Sequence, residues 1–180
     1  MDKKLVVAVI IVIVAIGITT ALFLLQKASS LPVPPDNLMV QEIPSKFECD
    51  VLEVKGPMPI FTTPEGLSLK GGKGIQLLAE YKPPSKILVY IAFMKMPSND
   101  IAKDVAGDIV DYVYRFKRNY TSWDYDIGGK SGYAYFDYPG LRWEMWYSGR
   151  WIIEVGTGRS GEEGKQIIND VRKCIAGIKG

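Results

Sequence analysis

The chain has 180 residues, carries a formal net charge of +2 and contains no histidine. The absence of an imidazole excludes His-based catalytic triads, histidine zinc sites and haem ligation through histidine. Beyond residue 30 the charges cancel, because 19 of the 22 basic and 19 of the 20 acidic side chains lie there. A neutral region has little attraction for phosphate backbones, so we expect no nucleic-acid partner.

The first predicted element is an apolar run of 21 residues, 5–25, without a charged side chain. As a helix it would extend for about 32 Å, which matches the ~30 Å hydrocarbon core of a bilayer. The run is longer than the apolar region of a cleaved signal peptide, and a poor cleavage site follows it. We therefore predict a transmembrane helix that acts as a signal anchor, with the lipid bilayer as its partner; cleavage is the alternative.

The lysines around this run predict its orientation. Lys3 and Lys4 precede it, whereas only Lys27 follows closely. Because positive flanks stay in the cytoplasm, we expect residues 1–4 to be cytoplasmic and the C-terminal domain to lie outside a single-pass cell-membrane anchor. Gly17 and Ala21 have a spacing that can seat a partner helix, although a lipid-facing helix is the favoured interpretation.

The segment after the run, residues 26–45, is rich in proline and poor in large apolar residues. Such a composition favours a semi-rigid, extended spacer, so we predict a stalk. Residues 46–180 have the length of one ordinary domain with its own core.

Within this domain, alternating apolar residues predict strands and an i, i+4 apolar pattern predicts two amphipathic helices. Ser98 or Asn99 is a suitable N-cap for the first helix. The order is strands, helix, strand meander, helix, which favours an α+β fold in which an antiparallel sheet packs with two helices. The predicted strands are 47–54, 60–62, 74–81, 87–94, 123–127, 132–138, 141–147 and 150–155, and the helices are 99–118 and 162–178.

Cys49 and Cys174 are the two cysteines, one near each end of the domain. In an oxidising compartment they are natural partners, so we predict a disulfide, with two buried free thiols as the alternative. The chain also has only four Asn and four Gln beside abundant Ile, Val, Lys and Glu. This bias is typical of proteins from hot environments and favours a thermophilic source such as an archaeon.

Asn119 begins the sequon Asn-Tyr-Thr just past the first predicted helix, where it should be exposed. It is therefore a candidate for N-glycosylation, although so short a sequence also arises by chance.

Fourteen of the 20 aromatic residues, including every Trp, fall between positions 112 and 151. In the meander, Trp143 and Met145 alternate with Arg142, Glu144 and Trp146, so the first set should face the core. Trp146 then lies on the opposite face between charged neighbours, and we predict that it faces a ligand. Core packing and cross-strand pairing are the alternative for the aromatic group as a whole.

Paired carboxylates are the catalytic device that a chain without histidine can still use. The candidates in or near the meander are Asp126, Asp137, Glu144 and Glu154, although solvated sheet faces are the more ordinary interpretation. A calcium-like start at 124–129 lacks the later ligands, and the Gly-Lys pairs lack the phosphate-loop spacing, so we expect no metal and no cofactor.

The sequence thus favours a non-catalytic extracytoplasmic domain that binds a small ligand or a protein partner and is anchored by residues 5–25. An accessory subunit of a membrane complex is the alternative, and a cell-surface hydrolase that uses carboxylates is a third.

Overall fold

The structure, a computed structural model, describes residues 31–82 and 86–180. Residues 32–180 belong to one structural unit. The apolar run at 5–25 and the flanks that orient it lie outside the described residues. Within the described ranges, no helix is both long enough and apolar enough to cross a membrane.

The central element is a sheet of seven strands in which every neighbouring pair is antiparallel. Its spatial order is β1-β2-β3-β7-β6-β5-β4, so β7 lies in the middle and β1 and β4 form the edges. The strands are β1 (Leu52–Ile60), β2 (Lys73–Tyr81), β3 (Ile87–Lys95), β4 (Ser122–Gly128), β5 (Ser131–Tyr138), β6 (Leu141–Ser148) and β7 (Trp151–Thr157).

In the described residues three α-helices accompany the sheet. They are the short α1 (Ile43–Lys46), which follows a 3-10 turn at Val40–Glu42, α2 (Asn99–Phe116) and α3 (Gly161–Ala176). Helix α2 begins where the sequence predicts, because the Ser98 hydroxyl accepts a hydrogen bond from the Ile101 amide at 3.2 Å. The predicted α+β fold is confirmed, with α2 and α3 covering opposite faces of the sheet.

Successive side chains of β6 point alternately to the two faces of the sheet, one beneath α2 and the other beneath α3. Trp143 and Met145 belong to the core beneath α2, whereas Glu144 points to the other face and is bound there by Arg172 of α3. The predicted meander of β5, β6 and β7 is confirmed by their register. It brings β7 back beside β3, which places Glu154 of β7 in the centre of the sheet.

The first strand is the main error in the predicted elements. The sequence predicts strands at 47–54 and 60–62, but β1 runs from Leu52 to Ile60, and position 62 forms an isolated bridge to Ser68. The sequence of β1 is not typical of a strand, because Pro57 and Pro59 have no amide N–H to donate to a neighbouring strand. Strand β1 tolerates both prolines because it is an edge strand with one neighbour.

The predicted stalk at 26–45 is also wrong over the part that the structure describes. Residues 32–46, here called the N-terminal strap, pack on the domain and bury Leu38, Val40 and Ile43. The Lys95 ammonium donates hydrogen bonds to the Leu38 carbonyl at 2.7 Å and to the Asp36 carbonyl at 2.5 Å. The folded domain therefore begins near residue 32. Burial of these apolar side chains stabilises the packed strap relative to an extended spacer, in which they would be exposed to water.

The predicted disulfide is confirmed. Cys49 and Cys174 are bonded, with 5.1 Å between their Cα atoms and 125 positions between them in sequence. The bond ties the segment that follows the N-terminal strap to the last turn of α3. Cys49 lies just before β1 and not within a strand, so the pairing is right although the predicted strand was not.

Candidate functional site

Trp146 does not face a ligand, so that prediction is wrong. Its side chain is fully buried, and its indole N–H donates to the Pro32 carbonyl at 2.7 Å. The Arg172 guanidinium of α3 lies 5.0 Å from the ring centroid. The error arose because alternation along β6 separates the two faces of the strand but does not reveal that α3 and the N-terminal strap cover the second face.

Two of the four candidate carboxylates belong to a buried ion network beneath α3. The Arg142 guanidinium donates to Asp137 and to Glu144, each at 2.5 Å, and Arg172 donates to Glu144 at 2.5 Å. Asp137 also accepts a hydrogen bond from the Gly161 amide at 3.2 Å, at the start of α3. These carboxylates are fully occupied in joining α3 to the sheet, which favours a structural role for them.

Two other predicted residues lie in exposed positions. Asp126 is on the edge strand β4, and Asn119 is in the loop before that strand. Exposure of Asn119 agrees with its candidacy as a sequon, and glycosylation stays a prediction. Across residues 31–82 and 86–180, no group of three or more acidic or cysteine side chains is arranged to hold a metal ion.

The fourth candidate, Glu154, is different because it forms a pair with Glu65, a residue that the sequence did not single out. Glu154 is fully buried at the centre of the sheet, and its Oε2 atom accepts a hydrogen bond from the Trp143 indole at 3.1 Å. Glu65 approaches from the loop between β1 and β2, and the two carboxyls are close enough to form a hydrogen bond when one of them is protonated. We call Glu65 and Glu154 the acid pair.

The acid pair must hold a proton. Within the described part of the chain, Glu65 Oε2 and Glu154 Oε1 are both buried and receive no hydrogen bond from a backbone or side-chain donor of another residue. Two ionised carboxylates in contact would repel each other, whereas one proton between them satisfies both oxygens. The proton therefore lies between Glu65 and Glu154.

Burial assigns this proton mainly to Glu154. Loss of solvent raises the pKa of Glu154 well above its usual value, and the nearby charge of Glu65 raises it further. Burial also raises the pKa of Glu65, but its own backbone amide, the Glu154 proton, Thr63 and Lys117 all favour its ionised form. The pair thus carries one negative charge between its two ionisation steps, and the charge is mostly on Glu65.

A pocket of about 410 Å³ opens above Glu65. The acid-pair pocket is bounded by the β1–β2 loop, the β2–β3 pair and the C-terminal end of α2. Its lining residues are Pro64, Glu65, Gln76, Tyr90, Tyr112 and Lys117.

The Tyr90 ring can lie against the sheet because its cross-strand partner is Gly156. A Cβ at Gly156 would overlap the Tyr90 ring. Burial raises the pKa of Tyr90 well above its usual value, and it raises the pKa of the nearby Tyr138 to about 12. Both phenols therefore stay neutral near pH 7, so the charges at this site come from the acid pair and Lys117.

A larger groove, of about 590 Å³, lies over the disulfide. It is lined by Cys49, Cys174 and mainly exposed charged side chains of both signs, among them Glu48 and Lys173. No buried polar atom without a partner points to a ligand there among the described residues. The acid-pair pocket is therefore the better candidate site.

A second surface feature is a group of touching aromatic side chains where the edge strand β4 meets α2. This aromatic cluster consists of Tyr114, Tyr120, Trp123 and Tyr125, and the Trp123 ring lies 5.3 Å from Tyr114 and 5.4 Å from Tyr125 between centroids. Tyr114, Trp123 and Tyr125 each expose more than two fifths of their surface. Exposed aromatic groups of this kind often mark protein interfaces.

No protein-family model and no curated protein sequence matches the chain. Among solved structures, the chain is similar to a GTP-binding regulator from Thermotoga maritima, with a TM-score of 0.59 and 12% identity. That match covers 82% of this chain and 95% of the other. At this identity the likeness shows a shared fold and nothing about the ligand.

A second similar structure is the extracellular domain of PknH from Mycobacterium tuberculosis, with a TM-score of 0.44 and 11% identity. The match covers 83% of this chain and 95% of that domain. This likeness is too distant to carry an argument about location or function.

Proposed function

We propose that this chain is a non-catalytic, single-pass membrane-anchored protein whose extracytoplasmic domain binds a small ligand in the acid-pair pocket. The observation that carries the proposal is the acid pair itself: two carboxyls, each with an oxygen that lacks any other partner, beneath an open pocket of about 410 Å³. Ligand sites typically combine a concave, partly aromatic lining with a few convergent polar groups and shifted pKa values.

The location rests on two features. The uncharged run at 5–25, preceded by Lys3 and Lys4, has the length and flanks of an anchor that leaves the domain outside the cell. The Cys49–Cys174 bond agrees with an oxidising compartment. In a hyperthermophile intracellular disulfides also occur, so the run and not the bond is the stronger support.

The geometry of the acid pair favours binding over hydrolysis. Carboxylate pairs in glycosidases lie about 5–9.5 Å apart so that a sugar or a water fits between them. Here the carboxyls are hydrogen-bond partners, and Glu154 is fully buried, so a water in the pocket can reach Glu65 alone. Asp137 and Glu144, the other carboxylates that sequence reasoning favoured, are held by Arg142.

The matched variants Gln76→Trp and Gln166→Trp test this proposal. Gln76 lines the acid-pair pocket, so an indole there should fill it. Gln166 is exposed on α3, on the opposite face of the sheet, so the same change should leave the pocket open. We expect several members of a panel of small amines, amino acids, sugars and carboxylates to bind the full-length chain and the Gln166→Trp variant, and binding to weaken at least tenfold in Gln76→Trp.

Saturation-transfer NMR on the full-length chain in detergent measures this binding. Equal binding to the two variants would contradict the pocket as the site. If no compound of the panel bound, the proposal would fail, and an accessory subunit of a membrane complex would be the better interpretation. The exposed aromatic cluster on the open edge of β4 favours that second function.

A further inference from the structure

The floor of the acid-pair pocket selects for hydrogen-bond donors. Glu65 supplies a carboxylate at the bottom, and the fully buried Glu154 stands directly behind it. Between the two ionisation steps the pair carries one negative charge, and burial shields Glu154 and one oxygen of Glu65 from water. Because an interaction between charges is stronger where solvent is excluded, a ligand group that brings N–H donors and a positive charge fits this floor best.

The walls of the pocket suit the same group. Tyr90 and Tyr112 contribute aromatic rings, and Gln76 contributes an amide whose oxygen can accept a hydrogen bond. The face of an aromatic ring carries partial negative charge, so it attracts an ammonium but not a carboxylate. Glu65, Tyr90 and Tyr112 therefore all favour a positively charged ligand group.

The rim of the pocket has the opposite charge. Lys117 follows the last residue of α2 and lines the pocket, close enough to lower the pKa of Glu65. Among the described residues, no carboxylate lies within ion-pair distance of the Lys117 ammonium. A purely cationic ligand would leave Lys117 unsatisfied and repelled, whereas a ligand with a second, anionic group would pair with it.

We infer that the pocket binds a small zwitterion, with its ammonium against Glu65 and its carboxylate or phosphate toward Lys117. The inference rests on the proposed function, because it names the ligand class of the same site. A volume of about 410 Å³ accommodates a molecule of the size of an amino acid.

Binding of the ammonium should release the shared proton. The incoming positive charge stabilises the doubly ionised acid pair, so it lowers the pKa of Glu154 and expels its proton. The groups that face the pair are Tyr90 on β3, Tyr138 on β5, the Trp143 indole on β6, Thr63 in the β1–β2 loop and Lys117 after α2. Neither phenol loses a proton near neutral pH, since both have raised pKa values.

Isothermal titration of the full-length chain in detergent, with 4-aminobutyrate as the probe, tests the inference. Butylamine lacks the anion and butyrate lacks the ammonium, so they are matched controls. We expect 4-aminobutyrate to bind at least tenfold more tightly than either, and to do so more tightly as the pH rises. Titration in two buffers of different ionisation enthalpy should show the release of a proton.

Three variants assign the contacts. Glu65→Gln should weaken binding of 4-aminobutyrate at least tenfold. Lys117→Gln should weaken binding of 4-aminobutyrate but not of butylamine, which the Lys117 ammonium repels. Glu154→Gln keeps the hydrogen bond behind Glu65, so it should retain binding while removing the proton release and the pH dependence. O-phosphoethanolamine and vesicles of phosphatidylethanolamine distinguish a free zwitterion from a lipid head group, since competition by the vesicles assigns the head group as the source.

The outcomes separate this inference from the proposed function. Sugars or butyrate binding in the pocket, while every ammonium compound fails, would overturn the zwitterion and leave a ligand-binding domain standing. Unchanged affinity in both Glu65→Gln and Lys117→Gln would overturn it as well. If nothing bound that Gln76→Trp could block, both conclusions would fall together.

Discussion

Removal of the disulfide by the double change Cys49→Ala and Cys174→Ala is expected to lower the free energy of unfolding by about 4–5 kcal/mol. The bond joins residues 125 positions apart, so it restricts most of the unfolded domain. The loss of chain entropy in the unfolded state grows with the length of the loop that the disulfide closes. This loop is long, so we expect the loss of stability to be among the largest in the molecule. Urea unfolding of the full-length chain, monitored by tryptophan fluorescence, measures it.

Reductant provides the control for the double variant. In excess dithiothreitol, wild type and variant should unfold at nearly the same urea concentration, because both then lack the crosslink. A loss below about 1 kcal/mol in the absence of reductant would contradict the role of the bond in stability.

The buried ion network should show the second large effect. In Glu144→Gln, the Arg142 and Arg172 guanidiniums lose the carboxylate that each contacts at 2.5 Å. Arg142 exposes only 9% of its side chain, so water cannot replace the missing charge. Breaking a buried ion pair by removing one partner costs about 3–5 kcal/mol, and we expect a loss of this size in urea unfolding.

Glu162→Gln is the matched control for that variant. Glu162 lies at the start of α3, contacts Lys165 at 3.4 Å and has a side chain that is 90% exposed. An exposed pair of this kind contributes at most about 1 kcal/mol. Similar losses in Glu144→Gln and Glu162→Gln would mean that the network beneath α3 does not bind that helix to the sheet.

Features that depend on neighbouring residues in sequence were predicted well. Helix α2 begins at Asn99 because Ser98 caps it and an i, i+4 stripe defines its buried face. The β5–β7 meander follows from turns such as the one at Gly140, which adopts a φ of 76°. The alternation along β6 likewise predicted that Trp143 and Met145 face the core.

Features that depend on contacts between distant segments were not predicted. The prolines of the N-terminal strap suggested an extended spacer, whereas Leu38 and Ile43 are buried against the sheet. Trp146 was placed on the right face of β6, but nothing local in the sequence indicates that α3 covers that face. Sequence patterns define a surface of one element and leave its partner undetermined.

The acid pair illustrates the same limit at the candidate site. Glu154 was a candidate because it lies in the aromatic meander, and the apolar residues around it, Trp-Ile-Ile-Glu-Val, are a further signal that the sequence analysis did not use. Glu65 lies in a Thr-Pro-Glu-Gly turn, where an acidic residue is ordinarily exposed. Only the folded β1–β2 loop brings its carboxyl inward, so no spacing rule could have paired the two residues.

The acid pair is the central claim, and the pH dependence of stability in wild type and Glu154→Gln tests it most directly. A carboxyl whose pKa is raised on folding stabilises the folded state below its unfolded pKa, about 4.5, and loses that contribution as pH rises through the folded pKa. Between these two pKa values the folded state binds one proton more than the unfolded state. The free energy of unfolding therefore falls by about 1.4 kcal/mol for each unit that the pH rises.

The measurement is urea unfolding of both proteins from pH 4 to pH 9. Glutamine cannot ionise, so the stability of Glu154→Gln relative to wild type should increase steadily as the pH rises above about 4.5. The lowered pKa values of Asp36 and Asp170 affect both proteins equally and cancel in the comparison. Curves that run parallel from pH 4.5 to pH 9 would show that Glu154 ionises normally in the folded state and would contradict the shared proton.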